Sequence, residues 1–372
     1  MLIRLNASPI RMLGLVGVVI YIILQAAVVT ETSANAFDYK TIGPKSVGAA
    51  QEHKSFGSVN IPPQWMVNGA GKNIDSIAFW VPDMHPENTL MFVTAKKNQL
   101  IEVWKYPFVN NQLRSITHSS FGKKTKVNGV AVDQKTNLLY VSLSRPSSIV
   151  SVFSLPEGSF TRKFIEISRD LGSEPNIALL RHKNGQTRAY VTADDIVYVH
   201  NAQTGDFILQ FKTATSVETV LADNFHQIIY LPDEQSHRGI FAFHPNGTRY
   251  KTCIATKKCA NPFGGGDIFQ EDAEGIILYR CLPDGITDSG TGFIVVADQR
   301  FRETEFEFFD RQTWKHLGTF RLTGVRNTDG IASTQRPLPG YPLGLFAAIN
   351  NDTSVAAIGW GKVFSATGLR CE

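Results

Sequence analysis

Six oxygen-bearing side chains recur along the chain, each close to the start of a short apolar run. The intervals between them are 53, 48, 42, 56 and 55 residues. A single Asp or Asn before a strand is usually a turn former, but six in phase predict a set of oxygens that meet at one place. Such a set suits a hard cation, since calcium takes about six to eight oxygen ligands in irregular geometry. These six leading residues are Asp75, Asn128, Asn176 (alternatively Glu174), Glu218, Glu274 and Asp329.

A second set of polar residues follows the next apolar run of each copy. It is cationic in the first two copies, with Lys96, Lys97 and Arg145, and the fifth copy adds Arg300. A cation flanked by Lys and Arg suits a phosphate ester, because both neutralise phosphate oxygens. The alternative is a solvated rim that keeps the surface soluble. The third and fourth copies carry the acidic members Asp194, Asp195, Asp233 and Glu234.

Short strands must position these residues. Each leading residue is followed by two or three apolar runs, such as LMFVTA (90–95) and IEVWKY (101–106) in the first copy. A repeat of about 40 to 50 residues with this content is typical of a propeller blade. The sequence therefore predicts an all-β fold, a six-bladed β-propeller, in which the first strand of each blade lines the axis and brings the leading residues to one mouth.

Motifs in the last third of the chain resemble those of the β-propeller (alkaline) phytases, in the same order. They are DAEGIILY (272–279), FIVVADQ (293–299), FEFFDR (306–311), NTDGI (327–331) and YPLGLFAA (341–348). Weaker similarity lies upstream in IDSIAFW (74–80), TAKK (94–97), SLSR (142–145) and VETVLAD (217–223). The resemblance covers about residues 75 to 360.

This resemblance implies a calcium-dependent phosphomonoesterase that hydrolyses myo-inositol hexakisphosphate (phytate) through a metal-activated water. Lys96 and Arg145 match phosphate-gripping positions, and Arg300 of the second set is a further candidate for substrate binding. The implied catalytic residues are Glu218, Asp272, Glu274 and Asp329. The implied metal ligands are Asp75, Glu218, Asp233, Glu234, Asp272, Glu274 and Asp329.

Three positions depart from the family pattern. Ser76 and Asn327 each stand where the family has Asp, and Gln235 replaces the last acid of its acidic loop. Metal affinity follows ligand charge and number, so these changes predict fewer calcium ions or slower turnover. Two other functions stay open: a secreted binding propeller with structural calcium but no turnover, and a calcium-dependent lactonase-type propeller hydrolase with a neutral substrate pocket.

The N-terminus has the pattern of a secretory signal peptide. Arg4 and Arg11 precede an apolar run (12–24) and the small residues at 33–36, so we predict cleavage after Ala36. A lead segment (37–71), expected over the outside of the first and last blades, then precedes a phytase-like domain at 72–372. The predicted location is extracellular. The alternative is an uncleaved membrane anchor, because the run extended to residue 29 is long enough to span a bilayer.

Four cysteines in a secreted chain favour disulfides. Three connectivities are possible. We favour Cys253 with Cys259, whose short spacer can close locally, which leaves Cys281 with Cys371.

Charge and motifs exclude several classes of protein. The net charge of +4 is spread along the chain, which predicts no nucleic-acid patch but favours a polyphosphate. No GxSxG or HExxH motif occurs. We expect a monomer without membrane attachment after signal cleavage. The sequons at Asn246 and Asn351 predict glycosylation in a eukaryotic cell.

Overall fold

Six sheets arranged in a ring form a six-bladed β-propeller, which confirms the predicted fold class. This computed structural model describes residues 55–69, 71–110, 112–121, 125–144, 149–164, 174–234, 238–250, 252–253, 259–260 and 263–371. The predicted signal peptide, Arg145 and Gln235 lie outside the described residues.

The strands, numbered in chain order, begin with two that precede the first blade: β1 (Ser58–Ile61) and β2 (Trp65–Asn68). Blade one contains β3 (Ile74–Trp80), β4 (Leu90–Ala95), β5 (Leu100–Lys105) and β6 (Gln112–Ile116). Blade two contains β7 (Lys126–Asp133), β8 (Leu138–Ser144), β9 (Val150–Ser154) and β10 (Ser159–Lys163). Blade three contains β11 (Ile177–Arg181), β12 (Thr187–Ala193), β13 (Ile196–Asn201) and β14 (Phe207–Lys212).

Blade four is the shortest, with β15 (Leu221–Asp223), β16 (Ile228–Pro232) and β17 (Ile240–Phe243), followed by the separate pair β18 (Thr252–Cys253) and β19 (Cys259–Ala260). Blade five contains β20 (Asp272–Arg280), β21 (Gly292–Gln299), β22 (Glu305–Asp310) and β23 (His316–Leu322). Blade six contains β24 (Ile331–Thr334), β25 (Leu345–Asn350) and β26 (Ser354–Gly359). Short 3-10 helices occupy Pro86–Asn88, Lys96–Asn98 and Ser119–Phe121.

Apolar packing between neighbouring blades closes the ring. The second strand of a blade is buried on both faces, as in β4, where all six residues are buried. Buried clusters join blades one and two, two and three, three and four, four and five, and five and six. A further cluster joins Leu345 of blade six to Val93 of blade one. Each sheet therefore buries both faces, which explains the continuous apolar runs of its inner strands.

The N-terminal strands take part in the last two blades. Strand β2 pairs antiparallel with β26 and completes blade six, so the ends of the sheet ring are joined by strand pairing. Strand β1 pairs in parallel with β23, the outer strand of blade five. Two strands that precede residue 72 therefore belong to the sheets of blades five and six.

One α-helix, α1 (Trp360–Thr367), follows β26 among the described residues. Trp360 and Val363 of this helix are fully buried in the cluster between blades five and six. No helix in the described ranges combines the length and the apolar character that crossing a bilayer requires.

The predicted disulfide between Cys281 and Cys371 is present and ties the end of β20 to the C-terminal segment. Cys253 and Cys259 stand directly opposite each other in the backbone register of β18 and β19. Their side chains lie outside the described part of the chain, so this second pairing stays a prediction.

Candidate functional site

A central cavity of about 310 Å³ runs along the axis of the propeller. Each blade contributes to its wall from the segment nearest the axis. The equivalent apolar residues are Ile77, Val130, Ile177, Val220, Ile276 and Ile331.

Five of the six predicted leading residues share one register, because each lies two positions ahead of its blade's apolar wall residue. They are Asp75, Asn128, Glu218, Glu274 and Asp329. We call the end of the cavity next to these five residues the mouth.

The prediction for blade three is wrong, since Asn176 lies only one position ahead of Ile177 and Pro175 occupies the leading position. Asn176 lines the cavity wall, and its Oδ1 accepts a hydrogen bond from the Ile177 backbone N–H at 2.7 Å. A shift of one residue changes the face to which a strand side chain points. Asn176 therefore has the turn role of a typical Asn before a strand.

Bulges in the innermost strands re-aim several leading residues. The pairing of β3 with β4 slips between Ile74 and Ile77, so Asp75 lies in a bulge. The same slip surrounds Asn128 in β7 and Glu274 in β20. A bulge turns a side chain away from the regular alternation of the strand, and the bulged Asp75 and Glu274 both interact electrostatically with acids in other blades.

Two glycines allow neighbouring axial strands to approach closely beside these residues. A Cβ on Gly275 would meet the backbone nitrogen of Ile331 at 2.7 Å. A Cβ on Gly330 would overlap the carbonyl oxygen of Asp75. Blades five, six and one are therefore in backbone contact where Glu274, Asp329 and Asp75 enter the mouth.

The carboxylates at the mouth lie close enough to change one another's protonation. Burial raises the pKa of Glu218 to about 8, and the nearby Glu234 adds to this shift. Burial, together with Asp75, likewise raises the pKa of Asp329 to about 8. For Glu274, burial and then the charges of Glu218 and Asp329 raise the pKa well above its ordinary value. Like charges held this closely in a buried site favour either protons or a metal cation.

Lys96 is the buried cation of this group. Its side chain is only 3% exposed, and its ammonium contacts Asp75 Oδ1 and Glu174 Oε2. The other Glu174 oxygen lies 2.7 Å from Lys126 Nζ. Lys96 was predicted to grip phosphate, but its ammonium pairs with carboxylates inside the mouth. The sequence indicated Glu174 only as the alternative to Asn176. Its contact with Lys96 makes it a candidate site residue that the family motifs did not identify.

The predicted acidic loop lies next to these residues. Asp233 is 1% exposed and lies 4.0 Å from Arg238. Glu234 accepts a hydrogen bond from Ser216 Oγ at 3.4 Å, and burial raises its pKa to about 7, with a smaller contribution from Asp272. Asp272 begins β20 and is exposed. Glu234 is thus close enough to Glu218 to act on its protonation, and the roles of Asp233, Glu234 and Asp272 as ligands stay predictions.

Arg300 is held by carboxylates of its own blade. Its Nε lies 2.7 Å from Asp298 Oδ2, and a second nitrogen contacts Glu305. Asp298, Glu305 and Glu307 form a buried acidic cluster that could hold a metal ion. The carboxylates of this cluster, however, already contact the guanidinium groups of Arg300 and Arg321, and Glu307 Oε2 lies 2.7 Å from His316 Nε2. Asp298 also accepts the backbone N–H of residues 270 and 271, so it fixes the turn that presents Asp272.

No protein-family model matches the chain. The chain is 24% identical to 3-phytase of Bacillus subtilis (strain 168) over 312 residues, which is 74% of this chain and 73% of that protein. The fold and this match together fit a divergent phytase-like propeller.

One residue of the propeller tests whether the mouth fits a cation. Asn128 occupies the leading position of blade two and is 1% exposed. Neither its Oδ1 nor its Nδ2 has a hydrogen-bond partner. A buried amide without partners is costly. An amide oxygen in register with four carboxylates fits the oxygen ligand set of calcium.

Exposed cations lie near the mouth of the propeller on blades six, one and two. Lys72 and Lys97 are exposed and joined by a backbone hydrogen bond of 3.3 Å. Arg326 is exposed, and its carbonyl accepts the N–H of Asn351 at 2.9 Å. Lys126 is half-exposed. The predicted glycan at Asn351 would therefore stand at this rim, whereas Asn246 is exposed in the turn after β17.

Proposed function

We propose that the chain is a secreted, calcium-dependent phosphomonoesterase that hydrolyses phytate or a related phosphate ester. The observation that carries this proposal is a group of four acids at the mouth, two buried and two half-buried, that influence one another's protonation, together with one buried amide that has no hydrogen-bond partner. The rim cations support a substrate with several phosphates, because Lys and Arg groups neutralise phosphate oxygens. The signal-like N-terminus supports secretion.

The residues at the mouth would have different roles according to their position. Asp75, Asn128, Glu218, Glu274 and Asp329 would hold calcium, with Asp233, Glu234 and Asp272 available on the side of blades four and five. Bound there, calcium would neutralise phosphate charge and lower the pKa of an attacking water. Glu218 and Asp329, whose pKa values are about 8, are able to hold or release a proton near neutral pH. Lys97 and Arg326 would orient the phosphates at the rim.

The test is phosphate release from phytate by the purified protein with calcium, with chelator, and after calcium is restored. We expect release that stops in chelator and returns with calcium. Release that ignores the chelator would contradict calcium dependence. Lactone hydrolysis without phosphate release would favour the lactonase-type alternative, and calcium binding without either reaction would favour the binding propeller.

Calcium binding is expected to release protons and to strengthen as the pH rises from about 6 to 8. At pH 7 Glu218 and Asp329 hold protons, because their pKa values are raised to about 8, and a metal ligand must lose its proton. Because these two pKa values are raised, protonation of Glu218 and Asp329 stabilises the calcium-free fold at a pH below the ordinary carboxyl pKa. This stabilisation is lost as the pH rises toward 8. Calcium should therefore stabilise the protein most at the upper end of that range.

Isothermal titration calorimetry at pH 7, in two buffers with different ionisation enthalpies, measures this proton release. We expect about one proton or more per binding event. An affinity that is independent of pH, with no proton released, would show that these acids do not bind the metal.

A further inference from the structure

The position of Lys96 bears on how the mouth would take up a metal. Its side chain is 3% exposed, while the neighbouring Lys97 is exposed on the same short helix. Burial alone would lower the pKa of Lys96, but Asp75 and Glu174 outweigh that effect and raise it. The ammonium is therefore a permanent positive charge among the acids.

Of the two carboxylates that Lys96 contacts, one belongs to the proposed calcium ligands and the other lies beside them. Asp75 is a leading residue, and its Oδ1 contacts the ammonium. Glu174 is close enough to Glu218 to raise the pKa of that acid. An oxygen that binds calcium lies about 2.3 to 2.6 Å from the ion, and a second cation at the same oxygen would be strongly repelled.

We propose that Lys96 is a tethered cation that competes with calcium for Asp75 and Glu174, so that calcium binding displaces its ammonium toward the rim. This inference rests on the proposed function, because it concerns the same metal site. Displacement would deliver the ammonium to the place where a substrate phosphate can accept it, which connects metal uptake to substrate binding.

The local structure permits this movement. The Lys96 backbone is fixed by a hydrogen bond of 3.0 Å to the carbonyl of Asn73, so only the flexible side chain has to move. Glu174 keeps a cationic partner when Lys96 leaves, because Lys126 lies 2.7 Å from its other oxygen. Asp75 would exchange the ammonium for the metal. Asp75 and Glu174 would thus each keep a cationic partner.

The first experiment compares the calcium affinity of wild type, Lys96→Met and Lys97→Met after chelator treatment, by calorimetry at one ionic strength. We expect Lys96→Met to bind calcium at least about tenfold more tightly, and Lys97→Met to stay within about twofold of wild type. Calcium binding by Lys96→Met but by neither wild type nor Lys97→Met would also support the competition. An unchanged or weaker affinity of Lys96→Met, an equal gain in both variants, or no binding by any of the three would overturn it.

A second experiment uses the wild-type protein and needs no folded variant. Reductive methylation followed by mass spectrometry reports how accessible each lysine amine is. We expect Lys96 to react several-fold faster in saturating calcium than in chelator, with Lys97 as the unchanged internal reference. Lys96 labelling that calcium leaves unchanged or slows would overturn the proposal. Neither experiment measures hydrolysis. If the calcium affinity and the lysine labelling both change as expected but no phosphate is released, the proposed function is wrong and the competition between Lys96 and calcium is still supported.

Discussion

Replacement of Glu274 by glutamine is expected to abolish calcium-dependent phosphate release and, at the same time, to stabilise the calcium-free protein. Glu274 is 9% exposed, and burial together with Glu218 and Asp329 raises its pKa. The amide keeps the shape of the side chain but removes a ligand charge, so we expect phosphate release to fall by at least about 100-fold. Removing a buried like charge should also raise Tm in chelator at pH 8.

The stability effect of this substitution has a definite pH dependence. Because the pKa of Glu274 is raised, the protonated side chain stabilises the calcium-free fold of the wild type at low pH. This stabilisation is lost as the pH rises. The advantage of Glu274→Gln should thus be present at pH 8 and vanish near pH 4. Glu157→Gln is the matched control, because Glu157 is exposed in the turn between β9 and β10. Surviving hydrolysis, or no stabilisation in chelator, would remove Glu274 from the site.

Replacement of Gly330 by alanine is expected to lower the free energy of unfolding by about 3 kcal/mol and to weaken calcium binding. The added Cβ would overlap the Asp75 carbonyl oxygen and lie 3.0 Å from the Ser76 Cα. Backbone atoms cannot move aside as a side-chain end can, so blades six and one must separate. That separation would also move Asp75 and Asp329 apart. Denaturant unfolding and calcium titration measure the two effects.

The control for this substitution is Gly361→Ala in helix α1. There the nearest atom to a new Cβ is Leu343 Cδ1 at 4.0 Å, and alanine is favoured over glycine within a helix by up to about 1 kcal/mol. We expect unchanged or increased stability and unchanged calcium affinity. If both variants unfold like the wild type, close contact between blades six and one does not support the site.

The number of blades could be predicted from the sequence because each copy contains its own apolar run, which has to be buried between neighbouring blades. An apolar run such as β4 must be buried on both faces, and its recurrence marks the blades. The partner of β2 could not be predicted, since Trp65–Asn68 is a short strand with two exposed residues and pairs with β26 almost the whole chain away. Local patterns do not encode such non-local pairing.

The leading position of a blade could be predicted where the start of the apolar run was unambiguous, as at Asp75, Glu218, Glu274 and Asp329. In blade three the segment before β11 reads EPNIALL, and hydropathy alone cannot decide which polar residue leads. The contact of Glu174 with Lys96 joins blades three and one, and neither residue's neighbours in sequence indicate it. Only the folded arrangement reveals that a buried lysine accompanies the acids.

The pairing of β2 with β26 also orders events during biosynthesis. The ribosome makes β2 about 290 residues before its partner, so a nascent chain keeps an open sheet edge until β26 has been made. An interrupted product that ends before Ser354 would lack the partner of β2. Such a fragment would expose unpaired backbone to chaperones and proteases, so the ring closes only in a chain that includes β26.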